Sequence, residues 1–230
     1  MNFIRDVRMY KPLNNTIEVE CNYSAEEFTE TDFVEFNVTY PTHLNRAVKK
    51  RKSEYLAGRF AAKIALQELG IEQFEIKTGK YREPIWPKDI IGSISHCVDT
   101  AVAVVSSADL YSGLGIDIEK IIQVQNYHAV FDQVLTEPEK IHFFENIDYE
   151  MLTYIFTIKE AFFKAAFNQV GVYFGFEAIR IEHIVELQVN ELIEAKFTLI
   201  RDLSPRLQKG QTYSANVSIS DGYVKALVIL

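Results

Sequence analysis

The segment MLTYIFTIKEAFFKAAF (residues 151–167) constrains this chain more than any other, because it is apolar almost all the way round a helix. A helix of that composition is a buried one. Its few polar residues, Thr153, Thr157, Glu160 and Lys164, follow steps of four, three and four, so they form a single line on one face. A buried helix with one polar line is expected to face a wet or charged cleft. Glu160 and Lys164 could also be an ordinary helical ion pair, which on a surface contributes only about 0.3–0.5 kcal/mol. Their neighbours Phe156, Phe162, Phe163 and Phe167 favour a functional task, since burying two charges beside that much aromatic surface is costly.

Around this helix the pattern alternates between strands and helices. GLGIDIEK (residues 113–120) sets Leu114, Ile116 and Ile118 against Gly115, Asp117 and Glu119, the period of a half-buried strand, so Asp117 and Glu119 point the same way. IIGSISH (90–96) and AVAVVSS (101–107) read as a hairpin turning at residues 97–100. An earlier helix is expected over residues 44–69, with Thr42 as cap, Gly70 as stop, and an apolar side of Leu44, Val48, Tyr55, Leu56, Phe60 and Ile64. Gly58 inside it costs about 1 kcal/mol relative to Ala unless its backbone is closely approached, by packing or by a ligand.

In LTEPEK, Thr136 and Glu139 form a capping box with Pro138 in the first turn. From Gly175 onward the chain is strand-like, with Ser-Asp-Gly at 220–222 as a tight turn. EYLAGRFAAK (54–63) and EAFFKAAF (160–167) echo each other weakly. The expected organisation is α/β (α+β), in two halves divided at residues 1–112 and 113–230.

Composition narrows the function. With 48% apolar and 13% aromatic residues the chain can build a real core, and 10 Gly and 6 Pro leave no stretch resembling a disordered tail. A net charge of −8 argues against gripping nucleic acid over a broad surface. Lys49, Lys50, Arg51 and Lys52, continued by Arg59 and Lys63, form a local basic patch, either a solvated helix face or a docking surface. No segment approaches a membrane span and the N-terminus lacks a signal-peptide run, so a cytoplasmic protein is expected. Cys21 and Cys97 have no partner at zinc-ligand spacing and are expected to be reduced thiols.

Asp117 and Glu119 offer two carboxylates to one hard cation, and Glu160 would supply a third, a set typical of magnesium. Alone, an Asp-x-Glu pair is more often structural. His96 stands where a strand gives way to a turn, a place from which side chains reach ligands, though a hydrogen-bonded corner histidine fits equally. No nucleophile elbow surrounds Ser93 or Ser95, so serine hydrolase chemistry lacks support.

Taken together, RKSEYLAGRFAAKIAL (51–66), REPIWP (82–87), GSISH (92–96), GLGIDIE (113–119), FTIKEAFFKAAF (156–167) and VGVYFGF (170–176) resemble the 4'-phosphopantetheinyl transferase superfamily, in its enterobactin synthase component D-like branch. Two departures stand out: Phe156-Thr157-Ile158-Lys159-Glu160 where Phe-Ser-Ala-Lys-Glu is common, and Asp89 where a Gly is common after the Trp-Pro pair.

The resemblance implies a pseudo-twofold fold of two similar halves, each a long helix on a small antiparallel sheet, with the active site at their interface. It implies transfer of phosphopantetheine from coenzyme A to a serine of an apo acyl, peptidyl or aryl carrier protein, releasing adenosine 3',5'-bisphosphate. Magnesium, or manganese, would be held by Asp117, Glu119 and Glu160, and coenzyme A by Arg51, Arg59, Arg82, Ser95, His96, Lys159 and Lys164. Glu160, Lys164 and His96 would be the catalytic set. Arg59 would meet the ribose phosphate, and the cofactor lying against that turn would account for Gly58. A monomer serving siderophore or other nonribosomal synthesis is implied.

Two other classes compete. A coenzyme A-binding module without catalysis is disfavoured because all three acidic positions are present. A magnesium-dependent phosphatase or nuclease could use the same carboxylates, but the acidic net charge disfavours a nucleic-acid substrate.

Overall fold

The computed structural model describes residues 3–143, 147–186 and 192–230. The chain forms two compact units, Met1–Tyr111 and Ser112–Leu230.

In the first unit, β1 (Ile4–Tyr10) and β2 (Thr16–Tyr23) precede a short helix α1 (Asp32–Glu35) and the long helix α2 (Lys49–Glu68). Then come β3 (Lys77–Thr78), β4 (Pro84–Ile85), β5 (Ile90–Cys97) and β6 (Thr100–Ser107). The main sheet is antiparallel in the order β1-β2-β6-β5, with β3 and β4 as a separate two-stranded ribbon. The 90–107 hairpin turns through Val98, at φ 55°.

Helix α2 starts later than its apolar spacing suggests. Thr42 is not its cap; residues Thr42–Leu44 make a separate 3-10 turn, and extended Val48 precedes the first helical turn. Val48 is exposed, and the buried face is built from Leu56, Ala57, Ala61, Ala65 and Leu66, so the alanines rather than Tyr55, Phe60 and Ile64 lie innermost. Small side chains let the helix sit close on the sheet, where Val19, Cys21, Ala101, Ala103 and Val105 complete the core. Gly58 serves this packing: a Cβ there would stand 2.8 Å from Ile94 Cγ2. The close approach is thus made by β5. Gly70, at φ 83°, stops the helix as expected.

The second unit opens with β7 (Leu114–Lys120), followed by α3 (Tyr127–Val134), α4 (Glu137–His142) and the long α5 (Tyr149–Val170). Four strands follow: β8 (Ile179–Glu186), β9 (Leu192–Leu199), β10 (Thr212–Ser220) and β11 (Tyr223–Ile229). They form an antiparallel sheet in the order β7-β11-β10-β9-β8. Asp221 and Gly222 both have positive φ and make the two-residue turn between β10 and β11.

Helix α5 is capped by the Asp148 side chain, which accepts from Met151 N at 2.8 Å, and ends on left-handed Gly171. Leu152, Ile155, Ile158 and Phe162 enter the core against Ile181, Phe197, Val217 and Val228. Full burial of such a side chain contributes about 1.5–3 kcal/mol, which outweighs the modest helix propensity of the aromatics.

Strand β7 is buried on both faces from Leu114 to Ile118, not half-buried as its alternation suggests. One face lies directly on α5. A Cβ on Gly113 would fall 2.3 Å from Ala165 O, and one on Gly115 would fall 1.9 Å from Ala161 O. These contacts are with backbone, which cannot swing aside. Gly115→Ala is therefore expected to cost about 3 kcal/mol or more in urea denaturation, the upper end of overpacking; unchanged stability would refute this packing.

Candidate functional site

The close contact of β7 with α5 sets the geometry of the carboxylate site. Two residues beyond Gly115 on the same face, Asp117 meets the helix where its polar line runs. Lys164 Nζ donates to Asp117 Oδ1 at 2.6 Å, with the side chains 25% and 4% exposed. The lysine thus pairs across to the strand and not with Glu160. Glu160, half-buried, has its pKa raised by burial first and then by the negative charge of Asp117, with Lys164 acting partly against both. Glu119 follows on the same face of β7, opposite Val224 of β11, and is half-buried.

Only part of the polar line serves this site. Thr153 and Thr157 are fully buried and donate back to Tyr149 O and Thr153 O at 2.6 and 2.7 Å. Thr153 Oγ1 also accepts from Ile122 N at 3.0 Å, securing the chain just after β7. The expected charged cleft is therefore confined to Glu160 and Lys164.

The donor chemistry of Asp117, Glu119 and Glu160 suits a hard divalent cation, since all three offer carboxylate oxygens. Burial and Asp117 both oppose ionisation of Glu160, and such a cation would relieve both. Among the described residues, no group of three or more His, Cys, Asp or Glu side chains is gathered at ligand geometry, and Asp117 is held by Lys164.

Lys159, one residue before Glu160, lines a small groove with Glu160 and Phe163, but its ammonium is engaged elsewhere. Its ammonium is fully buried, 2.7 Å from Glu139 Oε2 and 2.9 Å from Val134 O. The expectation that its charge meets the cofactor finds no support in this geometry: successive helical residues point about 100° apart, and this one carries its ammonium into the protein.

A second site lies in the first unit. Arg51, Arg59, Arg82 and His96 line one pocket of about 250 Å³, together with Glu54, Tyr55 and Gly58. Residues from α2, the β3–β4 turn and β5 thus converge. Arg51 Nη1 donates to His96 Nε2 at 3.0 Å and to Glu54 Oε2 at 3.3 Å. Because a guanidinium only donates, His96 Nε2 is the acceptor and carries no proton in this arrangement. Arg82 adopts a left-handed φ of 71° in the turn.

Arg59 is largely structural. Its Nε donates to Ile76 O at 3.0 Å, its Nη2 to Thr78 Oγ1 at 3.3 Å, and its guanidinium stacks on Tyr55 at 4.7 Å. Burial lowers its pKa, but not enough to discharge an arginine. Ser95 alternates with Ile94 and His96 along β5, so it lies on the face away from the pocket and does not line it. A wider cleft of about 760 Å³ shares His43, Tyr55, Arg59 and Thr78 with the pocket and extends along residues 72–78.

The basic patch is mostly engaged. Lys49 donates to Glu26 O, Lys50 lies 3.9 Å from Glu54 Oε1, Lys52 pairs with Glu30, and Lys63 donates to Phe36 O at 3.0 Å. Sequence reasoning missed Glu54, the counter-charge of the pocket. Its signal was available: it stands three residues after Arg51 on a helix, hence on the same face.

Two family models match the chain: the 4'-phosphopantetheinyl transferase N-terminal domain over residues 40–106, and the 4'-phosphopantetheinyl transferase superfamily over residues 113–227. The chain belongs to the 4'-phosphopantetheinyl transferase superfamily. It is 39% identical to enterobactin synthase component D of Escherichia coli K12 over 145 residues, covering 61% of this chain and 68% of that protein. It is 33% identical to the 4'-phosphopantetheinyl transferase PptT of Mycobacterium tuberculosis over 138 residues, 59% of this chain and 60% of the relative. The Nocardia iowensis transferase Npt is 30% identical over 143 residues, 61% and 63% of the two chains. Membership makes this phosphopantetheinyl transferase family member an enzyme of the transferase class. Its mixed fold of antiparallel sheets and few helices agrees with the family, and among the described residues no helix is long and apolar enough to cross a membrane.

Two consequences follow for the acidic cleft. Lys164→Ala should cost about 3 kcal/mol, because it leaves the Asp117 carboxylate buried without its cation, whereas Asp117→Ala should cost less, since Lys164 reaches solvent; equal losses in denaturant melts would refute this asymmetry. The raised pKa of Glu160 means the folded state binds that proton more tightly than the unfolded one, so stability falls as pH rises from the ordinary carboxylate range through the raised value. Glu160→Gln should therefore raise the melting temperature of the metal-free protein at neutral pH, with the gain vanishing at about pH 4. A gain that persists at low pH would point to some other cause.

Proposed function

We propose that the chain transfers the 4'-phosphopantetheine arm of coenzyme A to a serine hydroxyl of an apo carrier protein, releasing adenosine 3',5'-bisphosphate. The observation that carries this reading is the convergence of Arg51, Arg82 and His96 on one pocket beside the buried Arg59. A pocket lined by the guanidinium groups of Arg51, Arg59 and Arg82 is suited to a phosphate group, and the cleft continuing from it has room for a nucleoside. In this reading it holds the 3'-phosphorylated nucleotide end of coenzyme A.

The second unit supplies the groups for phosphoryl transfer, a reaction that depends on positioning and charge neutralisation. Lys164 neutralises pyrophosphate oxygens. Glu160, in the same cleft, takes the proton of the attacking serine. The bond from serine oxygen to phosphorus forms as the bond from phosphorus to the bisphosphate oxygen breaks. Asp117, Glu119 and Glu160 would hold magnesium or manganese, which supplies further positive charge for the phosphate oxygens.

Next to Glu160, Phe163, Tyr173, Phe174 and Phe176 line a small groove, and Tyr173 is 78% exposed. This aromatic surface is suited to the uncharged part of the substrate. The relatives named as enterobactin synthase components support a carrier from siderophore or other nonribosomal synthesis. The two cysteines form no disulfide, and burial pushes the Cys21 thiol up to about 12.

Incubation with coenzyme A, magnesium and a panel of apo carrier proteins, read by intact mass, tests the reading; no mass gain on any carrier would overturn it. Within it, Arg51→Ala should weaken binding of coenzyme A more than binding of dephospho-coenzyme A, by about 1.5–3 kcal/mol in calorimetry. Equal losses for both ligands would remove Arg51 from the phosphate contact.

A further inference from the structure

Glu139 is fully buried and accepts from four donors on three segments. Thr136 N and Oγ1 reach its Oε2 at 2.9 and 2.7 Å, Lys159 Nζ reaches the same oxygen at 2.7 Å, and Ile181 N reaches Oε1 at 2.8 Å. Lys159 in turn donates to Val134 O at 2.9 Å. One carboxylate thus ties together the end of α3, the start of α4, the middle of α5 and the start of β8.

A capping box needs only Thr136 and Glu139 at the helix start. Here the capping glutamate is carried inward to a lysine whose side chain is 0% exposed. Replacing such a pair by apolar residues is often neutral or stabilising, so its presence calls for a purpose other than stability. Its location supplies one. Lys159 immediately precedes Glu160, and Ile181 follows the loop carrying Phe174 and Phe176, two walls of the groove beside Glu160.

We propose that Glu139 and Lys159 are positioning residues for the reaction. Resting on the functional reading above, the inference is that the Lys159 ammonium, committed to Glu139, makes no polar contact with coenzyme A or carrier, although its side chain lines the groove. Through Glu139 it fixes the turn of α5 that carries Glu160, relative to the loop walls of the groove. The pair limits how far Glu160 can drift from the attacking serine, and displacements of about 1 Å can cost a hundredfold in rate.

The test compares wild type, Glu139→Gln, Lys159→Met and the double variant Glu139→Gln/Lys159→Met, in which neither charge is left unpaired. Coenzyme A affinity is read by calorimetry, turnover and KM by transfer to a carrier, and folding by thermal melts. Positioning requires the folded double variant to keep wild-type coenzyme A affinity and KM while kcat falls at least tenfold, with Glu139→Gln showing the same split. Wild-type kcat in the folded double variant would reduce the pair to a structural tie and overturn the proposal. Loss of coenzyme A affinity in both variants lacking Lys159, with Glu139→Gln unaffected, would restore Lys159 to the cofactor and overturn it too. If the wild-type chain modifies no carrier, the functional reading fails; the calorimetric comparison still decides whether Lys159 contacts coenzyme A.

Discussion

The contact between Gly113 and Gly115, at the start of β7, and the alanines of α5 is the constraint on which the second unit depends. Strand and helix approach until the positions of Gly113 and Gly115 face the carbonyls of Ala165 and Ala161 with no space for a Cβ. At that separation the next residue on the same strand face, Asp117, reaches Lys164 directly. Its charge is also felt by Glu160, one turn earlier on the helix. A wider packing would let each carboxylate be solvated separately, and the raised pKa of Glu160 would be lost. The site owes its electrostatics to the absence of two side chains.

The first unit uses the same device. Gly58 and the alanine face of α2 bring that helix close to β5, with Ile94 filling the space above the glycine. Arg51 and His96 can then share a hydrogen bond across helix and strand. Glu54 lies beside them as an internal anion, 3.3 Å from Arg51 Nη1, and partly offsets the positive charge of the pocket. Burial of Arg59 is offset by hydrogen bonds to Ile76 O and Thr78 Oγ1, which makes that arginine a strut between α2 and the β3 segment.

Neighbouring residues of α5 have been assigned opposite tasks by the rotation of a helix. Lys159 points inward to Glu139 in a pair with no solvent exposure, whereas Lys164 keeps a quarter of its side chain in water. The inward lysine fixes backbone and the outward one meets charge. The two threonines of the polar line complete the pattern by spending their hydroxyls on the helix itself and on the chain after β7.

Much of this was legible in the linear pattern. The period of residues 151–167, the alternation of residues 113–120, the hairpin at 90–107 and the capping box at Thr136 and Glu139 all depend on local chemistry, and each forms. Asp89 adopts a left-handed φ of 63°, a conformation that an aspartate tolerates. Other properties were decided by tertiary packing. The start of α2, the burial of both faces of β7, the inward turn of Lys159 and the outlying position of Ser95 depend on what packs against each residue. Sequence periodicity reports which face of an element a residue occupies. It does not report the depth of that face or the charge waiting there, because both are set by residues far along the chain.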